Sequence, residues 1–100
     1  MLAEVVRRLV EVHQPERIYL FGSAARGDAG PDSDYDLMVI LPDHAPPELQ
    51  RGRPAYLALR GTGAAADVHV WTQSAFNRQL HLQASFPSTI LREGKLLYAA

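Results

Sequence analysis

Asp34-Tyr35-Asp36-Leu37-Met38-Val39-Ile40-Leu41, halted by Pro42, joins an apolar run of strand length to two carboxylates at its entry. Five consecutive apolar residues, most of them branched, predict a strand buried on both faces, and proline cannot continue its ladder. Upstream, Arg17 to Phe21 reads as a second short strand that ends at Gly22. Before it, Leu2, Val5, Val6, Leu9 and Val10 follow the rhythm of a helix with one buried stripe, which Pro15 stops. Downstream, the prolines and glycines of 43–65 leave room for helix near Glu48 to Gln50 and across Ala55 to Arg60. Asp67 to Trp71 resumes a strand. Thr72 or Ser74 then caps a helix whose stripe takes in Phe76, Leu80 and Gln83 or Ala84, Pro87 opens a further turn through Arg92, and Gly94 leads to a last strand over Lys95 to Tyr98. This alternation describes an α/β fold, one domain over residues 1–100 with helices packed on a sheet.

Composition narrows the function. The chain has 100 residues with 10 Lys plus Arg against 11 Asp plus Glu, so no global basic field is available to hold a nucleic acid directly. It has no cysteine, which removes disulfides, thiolate metal sites and thiol nucleophiles. Glu4, Arg7, Arg8 and Glu11 interrupt the N-terminal apolar residues, so that segment reads neither as a signal peptide nor as a membrane span, and a cytoplasmic protein is expected.

The chemistry gathers around the first two strands. Residues i and i+2 of a strand share a face, so Asp34 and Asp36 are expected to aim their carboxylates at one point. Two adjacent carboxylates either share a proton or hold a hard divalent cation, and oxygen ligands with open positions are what Mg²⁺ uses when it also binds phosphate. Asp67, at the start of another strand, joins them if the strands are neighbours. Gly22-Ser23 stands where a strand gives way to a short helical turn expected over Ser23 to Arg26. This is either a capped turn or an anion cradle in which backbone N–H groups and the Ser23 hydroxyl face a phosphate. Arg26 suits a phosphate contact or a local ion pair, and Asp28 and Asp32 suit loop solvation. His69 shares a strand face with Asp67, which suits either a contact at the border of the site or an ordinary place on the strand. His13 and His81 are expected on helices, with His44 in a loop, all three at the surface or the edge of the core. Tyr35 should point to the opposite face from its flanking aspartates, while Trp71 and Tyr98 fit either core or interface.

Two lookalikes fail. Gly22 to Gly27 copies the glycine spacing of a phosphate-binding P-loop, but Asp28 stands where that loop needs lysine. Asp32, Asp34 and Asp36 imitate the start of an EF-hand, yet Leu37 replaces its turn glycine and Asp43 its bidentate glutamate.

Gly22-Ser23, ten intervening residues and Asp34-Tyr35-Asp36 resemble the signature of the nucleotidyltransferase superfamily typified by DNA polymerase β, most closely its minimal members. Ala25-Arg26-Gly27, Ser33-Asp34, Ala66-Asp67-Val68, Thr72 to Phe76 and Leu91-Arg92-Glu93-Gly94 through Leu97-Tyr98 extend the likeness over essentially the whole chain. The resemblance implies a small mixed sheet packed with helices. It further implies two Mg²⁺ ions held by Asp34, Asp36 and Asp67, with ATP as substrate and its triphosphate at Gly22 and Ser23. Asp67 would help deprotonate the acceptor. A chain of this length is expected to leave the acceptor to a partner. Minimal members are commonly encoded beside a helical HEPN protein, so the implied activity is transfer of AMP to a tyrosine of a HEPN ribonuclease toxin by its antitoxin, the two forming a hetero-oligomer. The alternatives are a nucleotide-binding antitoxin that neutralises by contact, and transfer to a small molecule such as an aminoglycoside. The last requires an acceptor pocket within the chain, which is expected to be absent.

Overall fold

The apolar run from Leu37 to Leu41 lies in an inner strand of the sheet. In a computed structural model describing residues 2–22, 25, 27 and 34–100, it forms strand β2, Tyr35–Leu41, and Leu37 through Leu41 are buried. Around it lie α1 (Leu2–His13), β1 (Arg17–Phe21), a 3-10 turn (Pro47–Gln50), α2 (Gly52–Leu59), β3 (Ala66–Thr72), α3 (Gln73–Arg78), α4 (Phe86–Glu93) and β4 (Lys95–Ala99). The strand order is β3-β2-β1-β4. β1 is antiparallel to both β2 and β4, whereas β2 and β3 run parallel, so the sheet is mixed. Parallel neighbours cannot be joined by a tight turn, and the crossover from β2 to β3 carries the 3-10 turn and α2.

Alternation along β2 divides its side chains between two apolar clusters. Leu37, Val39 and Leu41 meet Val5 and Leu9 of α1 and Ala55 of α2, while Met38 and Ile40 meet Tyr19, Phe76 and Ile90. Both faces of the strand are therefore dry, which is why its sequence lacks a polar alternation. Tyr35 packs with the α1 and α2 side, opposite the side of Met38, and Trp71 packs against Phe76 and Phe86.

Local chemistry sets the ends of the helices. α1 closes at His13. Gln14 takes a left-handed φ of 47°, its N–H reaches the Val10 carbonyl at 2.9 Å, and Pro15 follows. The C-terminal end of α2 is tied to α1 by Arg8, whose guanidinium is paired with Glu4 at 2.9 Å and donates to the carbonyls of Ala58 at 3.2 Å and Arg60 at 3.0 Å. A cation there complements the helix dipole and satisfies carbonyls the helix leaves open. Arg7, with Arg8 second, holds the Glu4 carboxyl down at about 2.

Three expectations shift. The segment expected as helix near Glu48 to Gln50 is a 3-10 turn, and α2 starts at Gly52, three residues before Ala55. Thr72, rather than Ser74, caps α3 by accepting from Ala75, and Asp43 accepts from the Ser74 N–H at 2.8 Å. α3 then stops at Arg78, so Leu80, Gln83 and Ala84 are not on its stripe and His81 sits in a turn rather than on a helix. The cause is local. Ser85 and Ser88 donate their hydroxyls to the carbonyls of Gln79 and Leu82, both at 2.8 Å, and Ser85 caps a new helix from Phe86. At the end of α4, a Cβ on Gly94 would lie 2.9 Å from the Leu20 carbonyl oxygen, so glycine lets the turn into β4 pass directly against β1.

His13 also departs from its expected place at the surface or core edge, being 1% exposed. Neither ring nitrogen makes a hydrogen bond, although the Leu49 backbone lies close enough to oppose, weakly, the lowering of its pKa by burial. The native state thus holds a neutral imidazole, while the unfolded chain protonates near 6.5. Between that value and the lower native one the unfolded state carries the extra proton, so stability is full above the window and falls as pH drops through it. Unfolding free energies of the native chain should fall by up to about 1.4 kcal/mol per pH unit more steeply below pH 6.5 than those of His13→Leu. Parallel profiles in urea titrations would contradict this.

Candidate active site

The antiparallel pairing of β1 and β2 puts Phe21 opposite Asp36, and the parallel pairing of β2 and β3 puts Asp36 opposite Asp67. Phe21, Asp36 and Asp67 therefore form one row across three strands, on one face and at one end of the sheet. The next rows on that face are Tyr19, Met38 and His69, then Arg17, Ile40 and Trp71. The carboxylates are thus the last row of a face that is otherwise chiefly apolar. Neighbouring strands lie about 4.8 Å apart, so two acidic side chains stand closer than an unassisted pair of charges favours.

Gly22 fits this row closely. Its φ is +73°, and a Cβ there would run into Oδ2 of Asp36 and lie 3.2 Å from its Cγ. Glycine is required twice, by the left-handed backbone and by the carboxylate against it. On the other side, Asp67 Oδ2 lies 3.4 Å from His69 Nε2. The His69 ring is set between Phe21 and Phe86, with centroids at 5.7 and 5.4 Å, and the two phenyl rings meet edge to face at 5.2 Å. Of the two placements open to it, His69 takes the one that borders the acidic row. Its aromatic surround was not legible in the sequence, because Phe86 arrives from α4, sixty-five residues after Phe21.

Asp34 is placed differently. The strand begins at Tyr35, whose N–H donates to the Ala65 carbonyl at 2.9 Å, and Asp34 precedes it as an exposed residue. The i, i+2 rule for a shared strand face therefore does not reach it. Asp34 instead lines a cavity of about 620 Å³ together with Asp67, α2 residues Ala55, Tyr56 and Leu59, and the 60–66 segment. A cavity of this size was not expected in a chain read as leaving its acceptor to a partner. The signal was hidden because its wall is made by α2, a helix placed by tertiary packing on α1 and not by a motif. Ser23 and Arg26, the helical turn expected over Ser23 to Arg26, Asp28 and Asp32 lie outside the described residues.

Among the described residues no three His, Asp or Glu side chains converge tightly enough to cage a metal by themselves. That fits Mg²⁺, which is commonly held by one or two carboxylates with the remaining positions left to water and substrate phosphates. Asp36 and Asp67 supply two hard oxygen donors in register, with Asp34 at the rim and no lysine or arginine salt bridge to Asp34 or Asp67 among the described residues. The donor set is chemically suited to a divalent cation.

The nucleotidyltransferase domain family model matches residues 1–97. No curated protein matches the chain. Among solved structures, the fold is similar to that of a putative nucleotidyltransferase from Sulfolobus solfataricus, with a TM-score of 0.64 at 20% identity over 98% of this chain and 78% of that one. It is also similar to a toxin-antitoxin structure with AMP-PNP, with a TM-score of 0.64 at 19% identity over 100% and 75% of the two chains. A mutant of the toxin-antitoxin pair MntA-HpeT matches with a TM-score of 0.58 at 18% identity, over 95% of this chain and 71% of its own.

The contact between Gly22 and Asp36 can be weighed by a double-mutant cycle. Gly22→Ala should cost about 2–3 kcal/mol in the native background, combining left-handed strain with the clash. With Asp36→Ala already present it should cost only about 1 kcal/mol, the strain alone. Equal costs in the two backgrounds, measured by denaturant unfolding, would separate Gly22 from the acidic row.

Proposed function

Since the chain belongs to the nucleotidyltransferase domain family, we propose that it transfers AMP from ATP, with Mg²⁺, to a hydroxyl of a partner, a tyrosine of a HEPN ribonuclease toxin, and so acts as that toxin's antitoxin. The observation that carries the chemistry is the register of Asp36 with Asp67 beside Gly22. Two carboxylates at the end of an apolar face are what a nucleotidyl-transfer site needs from the protein, and a sheet end leaves them open to a large acceptor. The fold likeness to two toxin-antitoxin structures, one with AMP-PNP, supports the nucleotide and the kind of partner. In the mutant complex two aspartates, two positions apart, are changed to glutamate, and Asp34 and Asp36 have that spacing here.

On this reading Asp34, Asp36 and Asp67 hold the metal-bound triphosphate, Gly22 and Ser23 face its phosphates through backbone N–H groups, and Arg26 adds a positive charge. Bound Mg²⁺ would neutralise charge on the phosphate oxygens as pyrophosphate leaves. Asp67 is the most exposed carboxylate of the row and takes the proton from the acceptor hydroxyl. His69, fixed by Phe21 and Phe86, keeps Asp67 turned toward the reacting end. No helix among the described residues is long and apolar enough to cross a membrane.

The cavity beside Asp34 and Asp67 favours a second reading, in which the hydroxyl belongs to a small molecule. Incubation with Mg²⁺, α-labelled ATP and the product of the adjacent gene should place label on that protein, and Asp36→Ala should lower the transfer by at least a hundredfold. An unlabelled partner that Asp36→Ala still neutralises would replace catalysis by contact, and label found only on an added aminoglycoside would favour the small acceptor. Asp34→Asn should weaken Mg²⁺-dependent nucleotide binding at least tenfold and Asp28→Asn less than twofold. Equal losses in calorimetry would remove Asp34 from the site.

A further inference from the structure

Helix α2 turns a cationic and aromatic face to solvent. Arg53, Tyr56, Leu57 and Arg60 stand at i, i+3, i+4 and i+7, so they share one side of the helix, and all four are exposed, Tyr56 at 70% and Leu57 at 43%. Two large apolar side chains exposed side by side make the kind of patch that a partner covers. Residues 49–66 hold Arg51, Arg53 and Arg60 and no acidic residue, in a chain whose net charge is -1. On α1 the contrary holds, since Arg7 and Arg8 are answered by Glu4 and Glu11. Among the described residues no carboxylate pairs with Arg51, Arg53 or Arg60. The helix is a firm platform for these cations, because Arg8 clamps its last carbonyls to α1.

We propose that this face docks an acidic segment of the partner protein, whose carboxylates pair with Arg53 and Arg60 while an apolar side chain between them packs on Tyr56 and Leu57 and enters the cavity that Tyr56 lines. The inference rests on the reading above in which the acceptor lies on a partner protein, and adds the surface that holds that partner. From Arg53 to Arg60 the helix rises about 10 Å. Carboxylates about three residues apart on an extended segment have the same spacing. Charge selects this occupant over two others. A second copy of the chain docked through the same face would set arginine against arginine across a two-fold axis. A polynucleotide would bring its phosphates toward Asp34, which lines the cavity, whereas the apolar lining of Ala55 and Leu59 accepts a side chain. The strand register puts the Asp36 and Asp67 side chains on the opposite face of the sheet, with Phe21 and His69, so the docked segment leaves the acidic row open and nucleotide and partner bind together.

The test measures binding of the intact chain to the product of the adjacent gene by calorimetry, at low and high salt. Arg53→Glu combined with Arg60→Glu should weaken the complex at least tenfold, and Tyr56→Ala at least fivefold, while both variants stay folded by circular dichroism and bind ATP with Mg²⁺ as the native chain does. Salt should weaken the native complex more steeply than that of the charge-reversed chain, and amide exchange over residues 49–63 should slow when the partner is added. A partner bound equally by native and charge-reversed chains, with no slowing over 49–63, would overturn this inference and leave the nucleotidyl-transfer reading intact. Charge reversal that costs affinity for single-stranded RNA and none for the partner, or a dimer of the chain alone that Tyr56→Ala dissociates, would overturn it in favour of those occupants. A partner that binds neither the native nor the charge-reversed chain would overturn both this inference and the protein-acceptor reading.

Discussion

The register between β2 and β3 is the constraint on which the site depends. Parallel pairing aligns Asp36 with Asp67, and a slip of one residue would send one carboxylate into the cluster of Leu37, Val39 and α1. That slip would bury a charge, and the cost of doing so enforces the register that the acidic row needs. Stability and chemistry are set by the same pairing. The strand must be dry on both faces up to Leu37, and only at Asp36 does it reach the open end of the sheet where a charge is tolerated.

The parts around this row have separate physical tasks. Gly22 brings backbone against Asp36 where no side chain could fit, and Phe21 and Phe86 fix the imidazole next to Asp67. On the opposite face α1 holds α2 through Arg8, and α2 in turn forms the wall of the cavity that Asp34 and Asp67 border. A change in Arg8 would therefore reach the cavity without touching an acidic residue.

Much of this was legible in the sequence because it depends on short periods. The apolar run from Leu37 to Leu41, the stripe of α1 and the punctuation by Pro15, Pro42 and Gly94 lead directly to the elements found, and the glycine-serine and paired-aspartate spacing points to the family. The adjacency of Asp67 to Asp36 was available only as a condition, since strand order is a long-range property. Other features were out of reach for specific reasons. The start of β2 at Tyr35 depends on a hydrogen bond to Ala65, which takes Asp34 off the strand face. The early end of α3 depends on two serines six or more residues beyond its last turn. The burial of His13 comes from packing that a lone histidine in a helix pattern does not announce, and the cavity comes from where α2 lands on the sheet.

The central claim is that the row of Asp36 and Asp67 is a metal and triphosphate site. Crystals grown with Mn²⁺ and a non-hydrolysable ATP analogue, measured at the manganese absorption edge, address it without relying on any acceptor. The account predicts anomalous density within coordination distance of both the Asp36 and Asp67 carboxylates, with the triphosphate beside Gly22. Manganese bound elsewhere, or a triphosphate seated away from this end of the sheet, would contradict it.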